Sequence, residues 1–435
     1  QFRLWIYTIY TSNLQCYDIQ NRKMFEFSGK ETIQSDIVKA IIDDGNGNIW
    51  IGTNSKGIYI LNEQTDNLMH IHRDSGTPFS LSSNHINSFY KDNQDILWVG
   101  TTKQGVAFTD LNNTAFEICK TPEQEDISCF QEDRNGNLWL GFDGKGLACY
   151  DSKQKNYKLF NTHNSNIPSN LIIGSYLDSK GKMWFGSYGG GIFYEQNGTF
   201  FPFEQILEPI EYVRHIADDK YGNLWVGTFM HGLYCIDNGG KITSYTKENS
   251  CLYTNTITDL VYSSDHAMLY IGTSTGLYEL NTQTRQLAPV KGNNNKVSLT
   301  KMHISCLYRD RRGLLWIGTR HGVGIYDEKS RTLTRLSTND GVSHPYIRGI
   351  VEDHNKNMWI ATDCGITHII VVDDPTAQEL QYRCYSYFNE DGIGDITFNN
   401  YSIYCNRKGE VLMGGTGKYL KIDPNQALYL SLIHI

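Results

Sequence analysis

Two short segments of the chain place a tyrosine two residues before an arginine, at the same distance from a downstream aspartate. They are EYVRHI at 211–216, with Tyr212 and Arg214, and HPYIRGI at 344–350, with Tyr346 and Arg348. Because alternate residues of a strand point to one side, each pair is expected to share a face. A guanidinium beside an aromatic ring suits a sugar or a uronate, which it can bind through paired hydrogen bonds. The alternative is that each arginine pairs with an acidic neighbour.

Five further residues are expected near these pairs, in loops that follow the second strand of each predicted unit. They are Tyr188, Phe229, His231, Arg320 and His321. Variable loops on a rigid scaffold commonly carry specificity, so these nine residues form the predicted ligand-binding face.

The motifs of catalysis and metal binding are missing from the sequence. His231, His321 and Arg320 could act as a base and a charge stabiliser, but they lie in loops of different units. No Ser-His-Asp order, HExxH or Gly-x-Ser-x-Gly motif stands out. The ten cysteines show no CxxC spacing, and they are expected to be mostly reduced and buried. We therefore predict no catalytic residue, no metal site and no cofactor, and hence no enzyme in this region.

Composition narrows the class of protein. The 435 residues carry a net charge of −8 and no basic tract, which argues against binding of nucleic acid. No apolar run is long enough for a transmembrane helix, and no signal peptide is visible. The 40 glycines and 28 tyrosines, with only 9 prolines, are typical of aromatic-rich strands joined by tight turns.

The elements that would position the candidate residues follow from a repeat. The stretch DRNGNLWLGFDGKGLACYD at 133–151 recurs ten times, at intervals of about 45 residues, which is the length of a propeller blade. The residues at the tryptophan position are Trp5, Trp50, Trp98, Trp139, Trp184, Trp225, Tyr270, Trp316, Trp359 and Leu412. Each copy predicts four short strands, so the fold is predicted to be an all-β propeller.

An aspartate six residues before the tryptophan opens a turn in most copies: Asp44, Asp133, Asp178, Asp219 and Asp310. The turn resembles a calcium loop, but a single acidic residue offers too few ligands. A glycine three residues later can adopt the positive φ that the turn needs. We interpret the motif as a turn and the tryptophans as packing between blades.

Ten copies are too many for one ring, which usually closes at four to eight blades. The last copy has no outer strand after Leu412, whereas AFEI at 115–118 precedes the Trp139 copy and can supply one. We therefore predict a seven-bladed β-propeller at 112–425, preceded at 1–111 by about three blades of a second, incomplete propeller. Pairing of 115–118 with the Trp98 blade is the alternative. Residues 426–435 fit no strand of the repeat and are interpreted as a truncated junction or a foreign tail.

The motif DxxGNLWxGTxxxGLxxxD resembles the two-component regulator propeller repeat, over nearly the whole chain. That family forms extracytoplasmic sensor regions of hybrid two-component systems in glycan-degrading bacteria. The resemblance implies a periplasmic location and an oligosaccharide ligand. It also implies partners outside this chain: upstream blades, then a downstream sandwich, a membrane helix and a kinase. A homodimer of the full-length protein is compatible with it.

Three functions remain open at this point. The resemblance favours a domain that senses oligosaccharide fragments and signals to the kinase. Propellers also serve as protein-interaction scaffolds, and some are polysaccharide lyases. Fold by itself does not decide among these.

Overall fold

The computed structural model describes residues 3–8, 14–27, 29–63, 66–73, 81–111, 115–121, 125–203, 212–291, 299, 302–372, 380–427 and 433–434. The chain divides into two compact units. Unit 1 comprises Gln1–Ala115 and Asp423–Ile435, and unit 2 comprises Phe116–Ile422. Both consist of antiparallel sheets, so the predicted all-β, propeller-like fold is confirmed.

Unit 1 contains three sheets, one for each of the first three sequence repeats. Its strands before residue 112 are β1 (Arg3–Tyr7), β2 (Leu14–Asp18), β3 (Lys23–Phe25), β4 (Val38–Asp43), β5 (Asn48–Thr53), β6 (Ile58–Asn62), β7 (Asn67–Ile71), β8 (Ile86–Lys91), β9 (Ile96–Thr101) and β10 (Val106–Asp110). The sheet around Trp5 has only β1–β3, and β4–β7 form a complete four-stranded sheet. A four-residue helix, α1 (Lys30–Ile33), precedes β4.

The described residues of unit 2 form seven four-stranded sheets. Six of these sheets have their strands in chain order, and the seventh joins the two ends of the unit. The strands are β11 (Phe116–Lys120), β12 (Ile127–Glu132), β13 (Leu138–Phe142), β14 (Gly146–Asp151), β15 (Asn156–Phe160), β16 (Ile172–Leu177), β17 (Met183–Ser187), β18 (Ile192–Gln196), β19 (Thr199–Pro202), β20 (Val213–Asp218), β21 (Leu224–Thr228), β22 (Leu233–Ile236), β23 (Ile242–Tyr245), β24 (Ile257–Ser263), β25 (Met268–Thr273), β26 (Gly276–Asn281), β27 (Leu287–Pro289), β28 (Ile304–Arg309), β29 (Leu314–Thr319), β30 (Gly322–Asp327), β31 (Thr332–Leu336), β32 (Ile347–Glu352), β33 (Met358–Thr362), β34 (Ile366–Val372), β35 (Gln381–Tyr387), β36 (Phe398–Cys405), β37 (Val411–Gly415) and β38 (Lys418–Ile422).

The first strands of the seven sheets lie side by side around a central channel. Strand β12 packs beside β16, and the series continues through β20, β24, β28, β32 and β36 back to β12. The ends of the unit meet in one sheet, in which β11 pairs with β38 from Phe116 opposite Ile422 to Lys120 opposite Lys418. The predicted pairing of 115–118 with the Leu412 blade is therefore present for residues 116–118. Further closing bonds join β36 to β12, such as Asn399 Nδ2 to the Ile127 carbonyl at 3.1 Å.

The last residues of the chain pair where the sequence predicted no strand. After α2 (Pro424–Ala427), strand β39 (Ile433–His434) lies antiparallel to β10, opposite Ala107 and Phe108. It takes the fourth position of the Trp98 sheet, outside β10. The interpretation that 426–435 fits no strand of the repeat is wrong for residues 433–434, because the edge of β10 offers open backbone groups to any extended segment.

The aspartate turn has a second role that the sequence reading missed. In the β28–β29 turn, Asp310 accepts hydrogen bonds from the backbone N–H of Arg312 and Leu314, at 3.0 and 2.8 Å. Its second oxygen accepts from Trp316 Nε1 at 3.0 Å. The same bond joins Asp44 to Trp50, Asp92 to Trp98, Asp133 to Trp139, Asp178 to Trp184, Asp219 to Trp225 and Asp353 to Trp359. The motif spacing thus lets one carboxylate close the turn and satisfy the indole N–H.

The core lies between successive sheets, where the tryptophans pack. Trp225, Trp316 and Trp359 are fully buried, as the packing interpretation requires. All ten cysteines are free thiols, as expected, but their burial is uneven. Cys16, Cys129, Cys235 and Cys306 are buried, whereas Cys251 and Cys364 are exposed. The expectation that the cysteines are mostly buried is therefore met by four of the ten, and the two exposed cysteines lie in loops outside the strands.

Candidate functional site

The candidate residues lie at one end of the sheets of unit 2, where two loops of each blade meet. The loop after the second strand donates a backbone hydrogen bond to the residue just before the first strand of the same blade. Phe229 N–H donates to the Tyr212 carbonyl, and Asp363 N–H to the Tyr346 carbonyl, both at 3.2 Å. This ladder fixes the loop backbones, so the side chains project from a rigid frame.

Tyr346 is the aromatic centre of one cluster. The Arg348 guanidinium lies over its ring, 4.9 Å from the centroid, and Arg320 of the preceding blade approaches the same ring at 5.7 Å. Arg348 Nε also donates to Asp363, and its Nη1 donates to Asn400 Oδ1 at 3.0 Å. We call Arg320, Tyr346, Arg348, Asp363 and Asn400 the arginine cluster.

Arg320 differs from Arg348 in its partners. Among the ion pairs of the described residues, Arg320 has no carboxylate, whereas Arg348 has Asp363. Burial, and after it the positive charge of Arg320, lowers the pKa of the neighbouring His303. The arginine cluster therefore has two guanidinium groups for one carboxylate, a local excess of positive charge that favours an anionic ligand.

A second cluster forms at the equivalent junction between the second and third blades of unit 2. The hydroxyl of Tyr212 donates to that of Tyr188 at 2.8 Å, and the two rings meet edge to face, 4.1 Å apart. Phe229 lies 6.2 Å from Tyr212. Tyr188, Phe229 and the adjacent Met230 are 45%, 57% and 58% exposed, which is high for apolar side chains of this size. We call these four residues the tyrosine patch.

Both Tyr–Arg pairs contain the same bulge, and they differ in the partner of the arginine. The register shifts by one residue between Val213 and His215, and likewise between Ile347 and Gly349, so each arginine occupies the extra position. A bulge interrupts strict alternation of side chains. Arg348 stays over Tyr346, but Arg214 lies over the ring of Tyr401, 5.0 Å from its centroid. The predicted shared face is thus present for one pair only.

Tyr401 belongs to an enlarged bulge in β36. Phe398 pairs with Gly415 and Ile403 with Met413, so the four residues 399–402 stand opposite one residue of β37. Tyr401 has a positive φ of 65°, and burial raises the pKa of its hydroxyl above the usual range. The same bulge carries Asn400, the partner of Arg348. The bulge therefore links both predicted arginines through adjacent residues.

Arg214 lines a cavity of about 330 Å³ in the channel. His215, Asp259 and Tyr401 line it together with Arg214. His215 Nδ1 lies 2.9 Å from Asp259 Oδ1, and its ring meets that of Tyr401 edge to face at 4.7 Å. Gly174 of the neighbouring strand also lines the cavity, and a Cβ there would collide with the Arg214 carbonyl oxygen. Glycine at 174 therefore lets the two inner strands approach closely.

The structure places the nine predicted residues in three groups. Tyr188, Tyr212 and Phe229 form the tyrosine patch, and Arg320, Tyr346 and Arg348 belong to the arginine cluster. Arg214 faces the cavity instead. His231 and His321 are located by backbone bonds, since their N–H groups donate to the hydroxyls of Thr228 and Thr319 at 3.0 and 2.9 Å. The structure shows no role for their imidazoles.

The alternative prediction, that an acidic neighbour neutralises each arginine, is correct for Arg348 and Asp363. No such ion pair involves Arg214 among the residues that the structure describes. Sequence reasoning missed Asp363, Asn400, Tyr401 and the His215–Asp259 pair. Asp363 occupies the same loop position as Tyr188 and Arg320, four residues after the tryptophan, and that equivalence could have indicated it.

Comparison with known proteins places this geometry in a class. A profile described as two-component regulator propeller matches residues 32–55, 80–103, 122–144, 208–230, 298–321 and 341–364. The extracellular domain of a hybrid two-component system from B. thetaiotaomicron superposes with a TM-score of 0.62 at 25% identity, covering 98% of this chain and 55% of that one. The sheets and the matches together define a propeller built from this repeat. Six segments of the chain thus match the two-component regulator propeller repeat, as the sequence predicted.

Two further comparisons mark the limits of the likeness. Histidine kinase P4 of Formosa agariphila is 24% identical over 462 residues, which cover 89% of this chain and 32% of the kinase. The chain thus spans about a third of that relative and about half of the solved domain. Virginiamycin B lyase from Staphylococcus aureus, at 12% identity and a TM-score of 0.54 over 70% of this chain, shares the fold alone.

The matched profile describes a regulator propeller, and the similar solved structure is an extracellular domain of a hybrid two-component system rather than its kinase. The prediction that this region is not an enzyme agrees with them. Within the described part of the chain, no helix has the length and apolarity needed to cross a membrane.

Proposed function

We propose that this chain is the ligand-sensing part of a hybrid two-component sensor. It lies in the periplasm, binds oligosaccharide fragments and signals to a kinase outside the chain. Its homology to extracellular sensor propellers supports the context. The arginine cluster is the observation that carries the ligand assignment, because it offers an aromatic ring flanked by two guanidinium groups for one carboxylate.

The chemistry of the arginine cluster suits an acidic sugar. A pyranose ring can lie against an aromatic face, and a guanidinium can bind a carboxylate through two hydrogen bonds. Among the described residues, the N–H donors of Arg320 have no hydrogen-bond partner, whereas two donors of Arg348 bond to Asp363 and Asn400. We assign the main ligand contact to Arg320 and a positioning role to Arg348.

We also propose how the two units relate to the repeat. Residues 112–425 are a complete seven-bladed propeller, and residues 1–111 are three trailing blades of a second propeller whose other blades lie outside this chain. The pairing of β11 with β38 supports the first statement. The three sheets of unit 1, one for each leading repeat, support the second. A homodimer of the full-length protein remains part of the proposal.

The test is calorimetric titration with a panel of neutral and acidic oligosaccharides. For a fragment that binds, Arg320→Ala should weaken the affinity by about 1.5–3 kcal/mol, the range for a hydrogen bond to a charged group. Arg335→Ala on the exposed outer strand β31 is the matched control and should leave the affinity unchanged. Failure of every oligosaccharide to bind, or equal affinity of the Arg320→Ala and Arg348→Ala variants, would contradict the assignment.

Contact with another protein is the second candidate function, and the tyrosine patch favours it. Its three exposed apolar side chains resemble the aromatic and methionine composition of interface cores. In this case Phe229→Ser would abolish co-purification with a partner and leave oligosaccharide titrations unchanged. The arginine cluster provides the internal comparison, since Arg320→Ala should then have no effect on the partner.

A further inference from the structure

The interior of the unit 2 channel has features of a binding site separate from the arginine cluster. Its cavity of about 330 Å³ lies at the lower end of the size range of small-molecule pockets. Arg320, Tyr346 and Arg348 do not line it. An occupant of this cavity would therefore be about the size of a monosaccharide and would contact a different set of side chains.

His215 is the first indication of a ligand. Its side chain is 9% exposed, and Nε2 has no hydrogen-bond partner among the described residues. A buried polar atom without a partner is costly and calls for an explanation. Nδ1 faces Asp259 at 2.9 Å, so Nδ1–H donates to that carboxylate, and in this tautomer Nε2 is the acceptor of the ring.

Asp259 holds this orientation firmly. Its two carboxylate oxygens accept backbone hydrogen bonds from Leu260 and from Leu307 of the next blade, both at 2.7 Å. Because Asp259 is already bonded to three donors, it anchors the imidazole and is not free to take a ligand. The remaining acceptor in this group is Nε2 of His215, which suits a ligand hydroxyl.

Arg214 supplies the charge. Its guanidinium lies over Tyr401, whose ring also meets that of His215 edge to face, so the three side chains form one compact group. No carboxylate lies within ion-pair distance of Arg214 in the part of the chain described. The cavity wall therefore offers a guanidinium that has no ion pair with any described residue, next to a fixed hydroxyl acceptor.

We propose that the channel interior binds a sugar acid, with the carboxylate on Arg214 and a hydroxyl donating to His215 Nε2. The sugar acid is either a free monosaccharide or the terminal residue of an acidic oligosaccharide. Both sources present the same group to the same two side chains. The site goes beyond the proposed function, because none of its contacts uses the arginine cluster.

The experiment is titration of the whole chain with sodium glucuronate, sodium galacturonate, a galacturonate trisaccharide, glucose and acetate. We expect at least one of the uronate probes to bind, and glucose and acetate to bind at least about tenfold more weakly, since each lacks one of the two paired groups. Binding of a monomer identifies a free sugar acid, and binding of the trisaccharide alone identifies a terminal residue.

Two variants test the assigned atoms. Arg214→Gln removes the cation from a side chain that has no ion pair to lose. His215→Asn keeps a donor near the Nδ1 position for Asp259 and removes Nε2. Each should weaken uronate binding by about tenfold or more. Circular dichroism and melting curves check that both variants fold, and Arg335→Gln, on the exposed outer strand β31 and outside the cavity lining, should bind as the unaltered protein does.

The outcomes separate this site from the arginine cluster. Loss of uronate affinity in Arg214→Gln and His215→Asn, with normal affinity in Arg320→Gln, supports the channel site. Loss in Arg320→Gln alone supports the arginine cluster and overturns the channel site. Binding of no uronate probe at millimolar concentration, or binding of glucose as strong as that of uronate, also overturns it.

Discussion

Protonation of His368 is expected to make the stability of unit 2 fall in acid. His368 lies in β34, fully buried, and its ring stacks on Trp359 with centroids 4.1 Å apart and planes 9° from parallel. Neither ring nitrogen has a hydrogen bond to any residue that the structure describes. Burial lowers its pKa from 6.5 to about 3. The folded protein therefore holds this imidazole neutral throughout most of the acid range.

The sign and size of the effect follow from the two pKa values. Below pH 6.5 the unfolded chain takes up a proton that the folded protein does not, so stability is lost as the pH falls from 6.5 toward 3. Each pH unit in this window costs about 1.36 kcal/mol, which gives about 2.7 kcal/mol at a pH of about 4.5. Asp353, whose Oδ2 lies 3.8 Å from His368 Nε2, has a pKa raised by burial and acts in the opposite direction.

The perturbation is His368→Phe, which keeps a flat ring on Trp359 and removes the titrating group. Urea unfolding of both proteins at a series of pH values between 7 and 4 measures the difference, and the contribution of Asp353 is common to both. The advantage of the variant should grow by about 1.36 kcal/mol per unit below the unfolded pKa. His163→Phe, at an exposed position, is the control and should follow the unaltered protein. Parallel curves for His368→Phe and the unaltered protein would refute the reasoning.

Two other predictions test the turn and the thiols. Asp310→Asn places an amide donor where a carboxylate oxygen accepts from the indole N–H of Trp316. The variant should lower the free energy of unfolding by about 1–3 kcal/mol, as for a buried donor left unsatisfied. Urea unfolding measures this difference, and an unchanged midpoint would contradict the prediction. In the native protein a small thiol reagent should label Cys251 and Cys364 quickly, and the buried Cys129 and Cys306 only after denaturant is added. Mass spectrometry of the labelled peptides measures the rate at each cysteine. Rapid labelling of Cys129 and Cys306 would contradict their burial.

The sequence by itself determined the repeating architecture, because the information for it is local. The aspartate and the tryptophan six residues later meet within one turn, so their spacing could be read without knowing what lies beside them. The pairing of residues 116–118 with the Leu412 blade was also predictable. The Leu412 copy lacks an outer strand, and an extra strand precedes the Trp139 copy. Both inferences depend on counting elements along the chain, which needs no knowledge of side-chain partners.

The candidate site depended on contacts across the ring, and only the tertiary structure decided them. The same bulge occurs at both arginines, yet Arg348 lies over Tyr346 as strand alternation predicted, whereas Arg214 lies over Tyr401 of the last inner strand. His215 and Asp259 are neighbours because two inner strands lie side by side, although they come from different blades. The identity of a partner across the channel depends on the register of another blade, and no spacing within a single repeat encodes that register.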